Sequence, residues 1–276
     1  MPTRILHLSD LHFGRAQSPA LHEALRRLAD DVEPELVIAS GDLGHRGRGR
    51  ELEAAAKLLR SLDRPLLVVP GNHDIPHAFP ARFTRPWAEF ERVWGTTRPV
   101  YRSETLYVVG LNSARPWLHQ GGRVTGEQLD EATRRFREAP PGALCVAVLH
   151  HQMLGAPWRS RKRPVAARNR VLAQLVESGA ELVLAGHIHQ STVAGRREFE
   201  VAAPGVRRAV VISVAPGFGQ PRPHRRGEAC GLQLYEVTET ELAVHTHVWD
   251  GVALSLAASR SYPRSRVGAE MRATTL

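Results

Sequence analysis

Five short stretches carry side chains able to bind metal or move protons: Asp10-Leu11-His12, Gly41-Asp42, Gly71-Asn72-His73-Asp74, His150-His151 and Gly186-His187-Ile188-His189. Each follows an apolar run that reads as a buried strand, over residues 4–9, 36–40, 66–69, 144–149 and 182–185. Such strand ends are where open α/β sheets hold their active sites. Carboxylate, imidazole and amide are oxygen and nitrogen donors of borderline hardness, suited to Zn, Mn or Fe rather than to Ca. Asp10, His12, Asp42, Asn72, His150, His187 and His189 are too many for one ion and enough for two that share a bridging carboxylate. The ionised Asp10 and Asp42, with a bridging hydroxide, leave two divalent ions with residual positive charge. That suits a phosphate ester, whose oxygens span metals about 3.5–4 Å apart. Bound water with a pKa lowered towards about 7 then supplies a hydroxide nucleophile, so no protein nucleophile is needed.

These strand ends need a frame to bring them together. Ser18-Pro19 reads as a helix start, an N-cap followed by an N1 proline, and Leu21, Ala24, Leu25, Leu28 and Ala29 give that helix one apolar face. Leu52, Ala55, Ala56, Leu59 and Leu62 form a second amphipathic helix, and residues 44–50 form a flexible basic loop before it. The resulting βαβαβ run predicts parallel strands with right-handed crossovers. Residues 76–98 are less regular and read as a cap segment beside the site, with Trp87, Phe90 and Trp94 packing at near-helical spacing. Residues 100–101 and 106–111 form a hairpin-like pair. Thr125-Gly126-Glu127-Gln128 fits a capping box before a helix carrying Leu129, Ala132 and Phe136. A further helix with Val171, Leu172, Leu175 and Val176 stops at Gly179. Residues 210–214, 232–237 and 242–248 are strands without clear helices between them, which predicts an antiparallel part of a second sheet. The expected organisation is one domain over residues 1–258 and a disordered tail over residues 259–276, rich in Ser, Arg and Pro.

The net charge is +9, but only Lys57 and Lys162 are lysines, and the arginines are spread along the chain. The clusters at residues 159–163 and 222–226 read as solvated surface. Two cysteines, Cys145 and Cys230, exclude a disulfide framework, and Cys145 lies in an apolar strand as a small buried hydrophobe. No apolar run approaches the roughly 20 residues of a membrane span, and the N-terminus enters a strand without signal-peptide architecture, so the expected compartment is cytoplasmic. His7, inside the first strand, reads as a hydrogen-bonded structural residue; His245 and His247 share a solvated strand face.

In this order the motifs Asp-x-His, Gly-Asp, Gly-Asn-His-Asp, strand-end His and Gly-His-x-His resemble the calcineurin-like metallophosphoesterase superfamily, over roughly residues 4–250. The surrounding Leu8-Ser9-Asp10-Leu11-His12-Phe13, Gly41-Asp42-Leu43 with Arg46, and Val69-Pro70-Gly71-Asn72-His73-Asp74 are most similar to its bacterial branch related to class III 3',5'-cyclic-nucleotide phosphodiesterases. The resemblance implies an α/β fold, a four-layer αββα sandwich of two facing mixed β-sheets with helices outside. It implies two divalent or mixed-valence transition-metal ions (Mn, Fe or Zn): Asp10, His12 and His189 on the first, Asn72, His150 and His187 on the second, Asp42 bridging. By the same resemblance His73 would not be a ligand but would contact the phosphate and help protonate the leaving oxygen. For Asp74 two roles stay open, orienting His73 or facing solvent from a turn.

The chain departs from relatives at His150-His151-Gln152-Met153, where His-Pro often follows the first His, and at Gly44-His45-Arg46, where a hydroxyl or amide residue is common. Residues 215–231 also differ and hold Arg222, His224, Arg225 and Arg226. The expected substrate contacts are Asn72, His73, His224 and Arg225. The implied enzyme is a hydrolase, a dinuclear phosphoesterase acting through a metal-bound hydroxide on a small phosphodiester, cyclic nucleotides being the named candidate, with a diester favoured over a monoester. Two other functions stand beside it. A nuclease acting on DNA or RNA ends needs a continuous basic track, and little chain remains after His189 for a nucleic-acid module. A non-catalytic binding scaffold conflicts with the retention of all seven ligands and His73.

Overall fold

The computed structural model describes residues 2–158, 160–199, 209–219 and 228–264. In chain order the elements are β1 (Thr3–Leu8), α1 (Pro19–Val32), β2 (Leu36–Ala39), α2 (Gly49–Arg60), β3 (Leu66–Val68), α3 (Ala81–Thr84), α4 (Ala88–Trp94), β4 (Val100–Arg102), β5 (Leu106–Gly110), α5 (Gly126–Arg137), β6 (Leu144–Val148), α6 (Arg168–Glu177), β7 (Leu182–Ala185), β8 (Thr192–Gly195), α7 (Arg196–Phe199), β9 (Val211–Val214), β10 (Gly231–Val237), β11 (Glu241–Trp249) and β12 (Leu254–Pro263).

Strand alternation sets the layering. Side chains at successive positions point to opposite faces, so Leu6 and Leu8 of β1 pack with Leu25 of α1 and Leu52 and Leu59 of α2, while Ile5 turns to the other side. There Ile5, Ile38 and Leu67 meet Val108, Val146 and Leu184 of a second sheet. The far face of that sheet, with Val109, Ala147 and Val183, is covered by Leu129 and Phe136 of α5 and Val171 and Leu175 of α6. Three apolar interiors thus separate four layers, helices, sheet, sheet and helices, as the family resemblance implied.

The first sheet runs β12-β11-β10-β1-β2-β3 and the second β4-β5-β6-β7-β9-β8. β1, β2 and β3 are mutually parallel, as are β5, β6, β7 and β9. The expected placement of the late strands needs correction. β10 and β11 do not belong to the second sheet: β10 pairs antiparallel with β1, Thr3 opposite Val237, and extends the first sheet away from β2. Only β9 joins the second sheet, parallel to β7 with Leu182 opposite Val211. Nor is the chain disordered from Ser259 on, because residues 259–263 complete β12, with His245 opposite Ser259 and Leu242 opposite Tyr262. The rest of the expected tail, beyond Arg264, lies outside the described residues.

Local signals set several element ends. Ser18 Oγ accepts the Leu21 N–H at the start of α1. Thr125 caps α5, but the capping box is only half made: the Gln128 amide turns instead to the backbone of Asn112, accepting its N–H at 2.8 Å and donating to its carbonyl at 3.1 Å. In the irregular segment, Phe90 is fully buried and joins Trp87 and Trp94 in the core cluster over α2, so this part is packed as the aromatic spacing predicted. Cys145 and Cys230 are both buried. His7 is buried too, its ring nitrogens bonded to the Tyr235 hydroxyl and to Ser40 Oγ. Among the described residues no helix is long and apolar enough to cross a membrane.

Candidate metal centre

The carboxyl ends of β1, β2 and β3 in one sheet face those of β6 and β7 in the other, and the loops there are laced by backbone bonds. Asp10 N–H donates to Gly41 O, His12 N–H to Asp42 O and Gly186 N–H to His150 O, each at 2.9 Å. Asp10, His12, Asp42, His187 and His189 all have left-handed backbone, with φ between 50° and 74°. Non-glycine residues rarely adopt it, and such strain gathers at functional sites. Close glycines complete the crossing: a Cβ on Gly71 would stand 2.1 Å from Asp42 Oδ1, and one on Gly186 would stand 1.7 Å from Ser9 Oγ.

The side chains converge in two groups. In the first, His189 Nε2 lies 3.0 Å from Asp10 Oδ1 and 3.2 Å from His12 Nε2. Asp10 divides its oxygens: Oδ2 accepts the Ser9 hydroxyl at 2.7 Å and the His187 N–H at 2.9 Å, leaving Oδ1 to face the histidines. In the second, His150 Nε2 lies 3.1 Å from His187 Nδ1 and 3.3 Å from Asp42 Oδ1. The other Asp42 oxygen, Oδ2, has no hydrogen-bond partner and sits 3.9 Å from His12 Nε2 of the first group. Asn72 Oδ1 is likewise buried and unpartnered. All seven expected ligands are buried.

Backbone carbonyls select the imidazole tautomers. His150 donates Nδ1–H to Ser40 O at 2.7 Å, and His187 donates Nε2–H to Gln120 O at 3.2 Å. Each bond frees the nitrogen that faces the other ligands. Electrostatics agree. Burial opposes charge on Asp10 and Asp42, yet neighbouring histidines, His189 for the first and His150 for the second, hold both carboxyls well below the usual carboxylate range. Burial lowers His12 to about 4, against the pull of Asp10 and Asp42, and lowers His187, leaving lone pairs available. His150 goes the other way, to about 9: burial disfavours its charge but Asp42 outweighs it. Two ionised carboxylates, buried oxygens without donors and lone pairs aimed together suit divalent cations, since buried charge otherwise lacks compensation.

His73 stands beside the first group, half-buried. Its backbone N–H donates to Asp42 Oδ1 at 2.8 Å and its Nδ1–H to His45 O at 2.8 Å. Its ring stacks on His45 with centroids 5.3 Å apart and meets the His12 ring edge-on at 5.1 Å. Asp74 takes neither expected role. It is fully buried, not solvent-facing, and bonds Gly44 N–H and Gly71 N–H, each at 2.8 Å, rather than His73. It ties the loop after β2 to the loop after β3, and burial followed by the nearby Asp42 raises its carboxyl to about 7.

Other participants went unread in the sequence. Residues 44–50 are held, not flexible: Glu51 Oε2 accepts the N–H groups of His45, Arg46 and Arg48 at 3.1, 2.7 and 3.4 Å. Lys162 is not wholly solvated surface either, because its ammonium donates to the His187 carbonyl. His151 is buried, its Nδ1 bonded to Ser113 Oγ at 2.9 Å. The expected contacts His224 and Arg225, and the 222–226 cluster with them, lie outside the described residues.

The chain is 28% identical over 170 residues to a "probable cyclic nucleotide phosphodiesterase" of Synechococcus sp., covering 59% of this chain and 61% of that protein, so less than two thirds of that relative's length is matched. It is 24% identical over 200 residues to the 3',5'-cyclic adenosine monophosphate phosphodiesterase CpdA of Escherichia coli K12, covering 68% of this chain and 70% of that one. Among solved structures, the yellow lupin purple acid phosphatase PPD1 superposes with a TM-score of 0.70 at 11% identity, over 96% of this chain and 54% of that one, a likeness of fold. The family model described as calcineurin-like phosphoesterase matches residues 3–191, a span that contains every strand end from Asp10 to His189, and the chain belongs to that family.

Proposed function

We propose that this chain is a metal-dependent phosphodiesterase with a dinuclear centre, acting on a small diester. The observation that carries the reading is the position of Asp42, whose two carboxylate oxygens lie 3.3 Å from His150 Nε2 and 3.9 Å from His12 Nε2, between the two ligand groups. Asp10, His12 and His189 would hold one ion, Asn72, His150 and His187 the other, and Asp42 both. Bound there, Mn, Fe or Zn supplies neutralisation of phosphoryl charge and an acidified water.

The chain's own groups do the rest. Asp10 and Asp42 would offset only part of the charge of two divalent ions, so the loaded site would stay net positive towards a phosphate. The Ser40 and Gln120 carbonyls keep His150 and His187 in the tautomers that face the centre. The Asn72 oxygen, unpartnered and buried, would face the ion, while its amide N–H groups and the His73 ring orient the ester. With Nδ1–H engaged by His45 O, His73 holds its transferable proton at Nε2 and delivers it to the departing oxygen, a contribution of roughly 10²–10⁴-fold. Preference for diesters is supported by the names of the Synechococcus and Escherichia coli relatives, both phosphodiesterases.

The test is hydrolysis of bis(p-nitrophenyl) phosphate by chelated protein resupplied with Mn, Zn or Fe. Metal-dependent turnover that falls in Asp42→Ala and His73→Ala supports the assignment. Folded protein that takes up no metal and turns nothing over removes it.

A further inference from the structure

The cleft beside His73 is more cationic than the scissile phosphate of a cyclic nucleotide requires. It encloses about 520 Å³, and its lining includes Arg15, Arg46, Arg48, His45, His73 and His77, but no carboxylate. It borders the centre: ring nitrogens of His45 and His73, which line it, lie within 4.8 Å of one another and of a His12 ring nitrogen.

The arginines here differ from those on the helices. Arg26 and Arg27 pair with Glu23, Arg92 with Glu53 and Glu89, and Arg135 with Glu131. Among the described residues Arg15 and Arg46 have no ion pair, and Arg48 reaches only 4.0 Å from Glu51. Glu51, the nearest acid, is buried and spends Oε2 on three backbone N–H groups of this loop. The backbone that carries Arg46 and Arg48 is therefore held in place. Gly47 packs so closely on the next loop that a Cβ would stand 2.4 Å from the Ile75 carbonyl carbon, and His77 N–H donates to Arg46 O at 3.3 Å. Exposed guanidinium groups on a held backbone, those of Arg15 and Arg46 without an ion pair among the described residues, in a concave wall beside a phosphoesterase centre, match phosphate oxygens, which they bind as planar forks.

We propose that this cleft is a subsite for a second phosphate of the substrate, held by Arg15, Arg46 and Arg48. The preferred substrate is then a small phosphodiester bearing a further phosphate, as in a terminally phosphorylated dinucleotide, rather than a cyclic mononucleotide whose one charge is the scissile group. The inference rests on the phosphodiesterase reading above and narrows its substrate.

The experiment compares the dinucleotide TpT with pTpT and TpTp, products separated by chromatography, on metal-reconstituted enzyme. We expect kcat/KM for the better phosphorylated form to exceed that for TpT by about tenfold or more, and the ratio to collapse in the double variant Arg46→Ala, Arg48→Ala. If that variant does not fold, Arg15→Gln on the other wall serves the same comparison. Hydrolysis without preference, or a preference unmoved by these substitutions, overturns the subsite while leaving the phosphodiesterase intact. Activity that keeps rising with oligonucleotide length also overturns it, in favour of a nucleic-acid track. If no ester is cleaved, the parent reading fails, and calorimetric titration of the metal-free protein with thymidine 3',5'-bisphosphate decides the subsite alone: binding weakened by the arginine variants keeps it, and its absence ends it.

Discussion

His73 donates Nδ1–H to the backbone carbonyl of His45 at 2.8 Å, and the loop carrying that carbonyl is anchored by the Glu51 carboxylate. The proton-bearing ring is thus aimed by a residue that touches neither it nor the metal ligands. Glu51→Gln keeps the shape but removes the charge from the bonds to His45, Arg46 and Arg48, which weakens them by roughly half. The expected outcome is a kcat lower by about tenfold with metal content unchanged, measured by steady-state kinetics beside elemental analysis. Unchanged kcat would show that the loop holds without the carboxylate.

Gly71→Ala should damage metal binding more than folding. The new Cβ would lie 2.1 Å from Asp42 Oδ1 and 2.3 Å from Asp42 N, so the loop after β3 and the shared carboxylate must separate. Metal retained after desalting should fall below that of the parent protein while circular dichroism stays folded. Full metal retention would place Asp42 outside the centre.

His7 predicts an acid-side loss of stability. Burial, only partly offset by Asp10, lowers its folded pKa from 6.5 to about 3. Below pH 6.5 the unfolded chain binds a proton that the folded chain refuses, so unfolding takes up protons and stability falls as pH drops towards 3. The slope for one such group reaches about 1.4 kcal/mol per pH unit. His7→Gln should flatten the stability profile between pH 6.5 and 4 by up to that slope in urea unfolding. Parallel profiles would mean that His7 is protonated in the fold.

Arg264 closes the two sheets at one end. Just beyond β12 of the first sheet, it grips Glu181, next to β7 of the second, through two bonds of 3.0 and 3.1 Å, and also donates to the carbonyls of Thr238 and Gly142. The pair is largely shielded, with side-chain exposures of 9% and 17%. Arg264→Ala should cost about 2 kcal/mol, read from the urea midpoint. A shift near zero would mark it as an ordinary surface pair.

The candidate ligands of this protein stand out along the chain because each motif directly follows an apolar strand, and both signals are local. Asp10, His12, Asp42, Asn72, His150, His187 and His189 were nameable as candidates from residue type and place alone. So were the caps at Ser18 and Thr125, where a side chain answers backbone a few residues away. Tertiary structure decided what is not local. Whether β10 lies beside β1 or in the second sheet depends on pairing Thr3 with Val237, across nearly the whole chain. The tautomers of His150, His187 and His73 depend on the carbonyls of Ser40, Gln120 and His45, and every residue has a carbonyl, so residue type carries no mark of it. Asp74 looked like a partner for His73 by adjacency, yet its bonds run to Gly44 and Gly71. Arg46 and Arg48 read as part of a flexible basic loop and Arg15 as one of many spread arginines, until the fold set all three beside His73, with Glu51 holding the backbone of the 44–50 loop. Residue types and order determined which atoms this protein could offer to a metal and a phosphate. Only the meeting of two sheet edges decided which atoms face one another, because distance between groups far apart in sequence is a property of the fold.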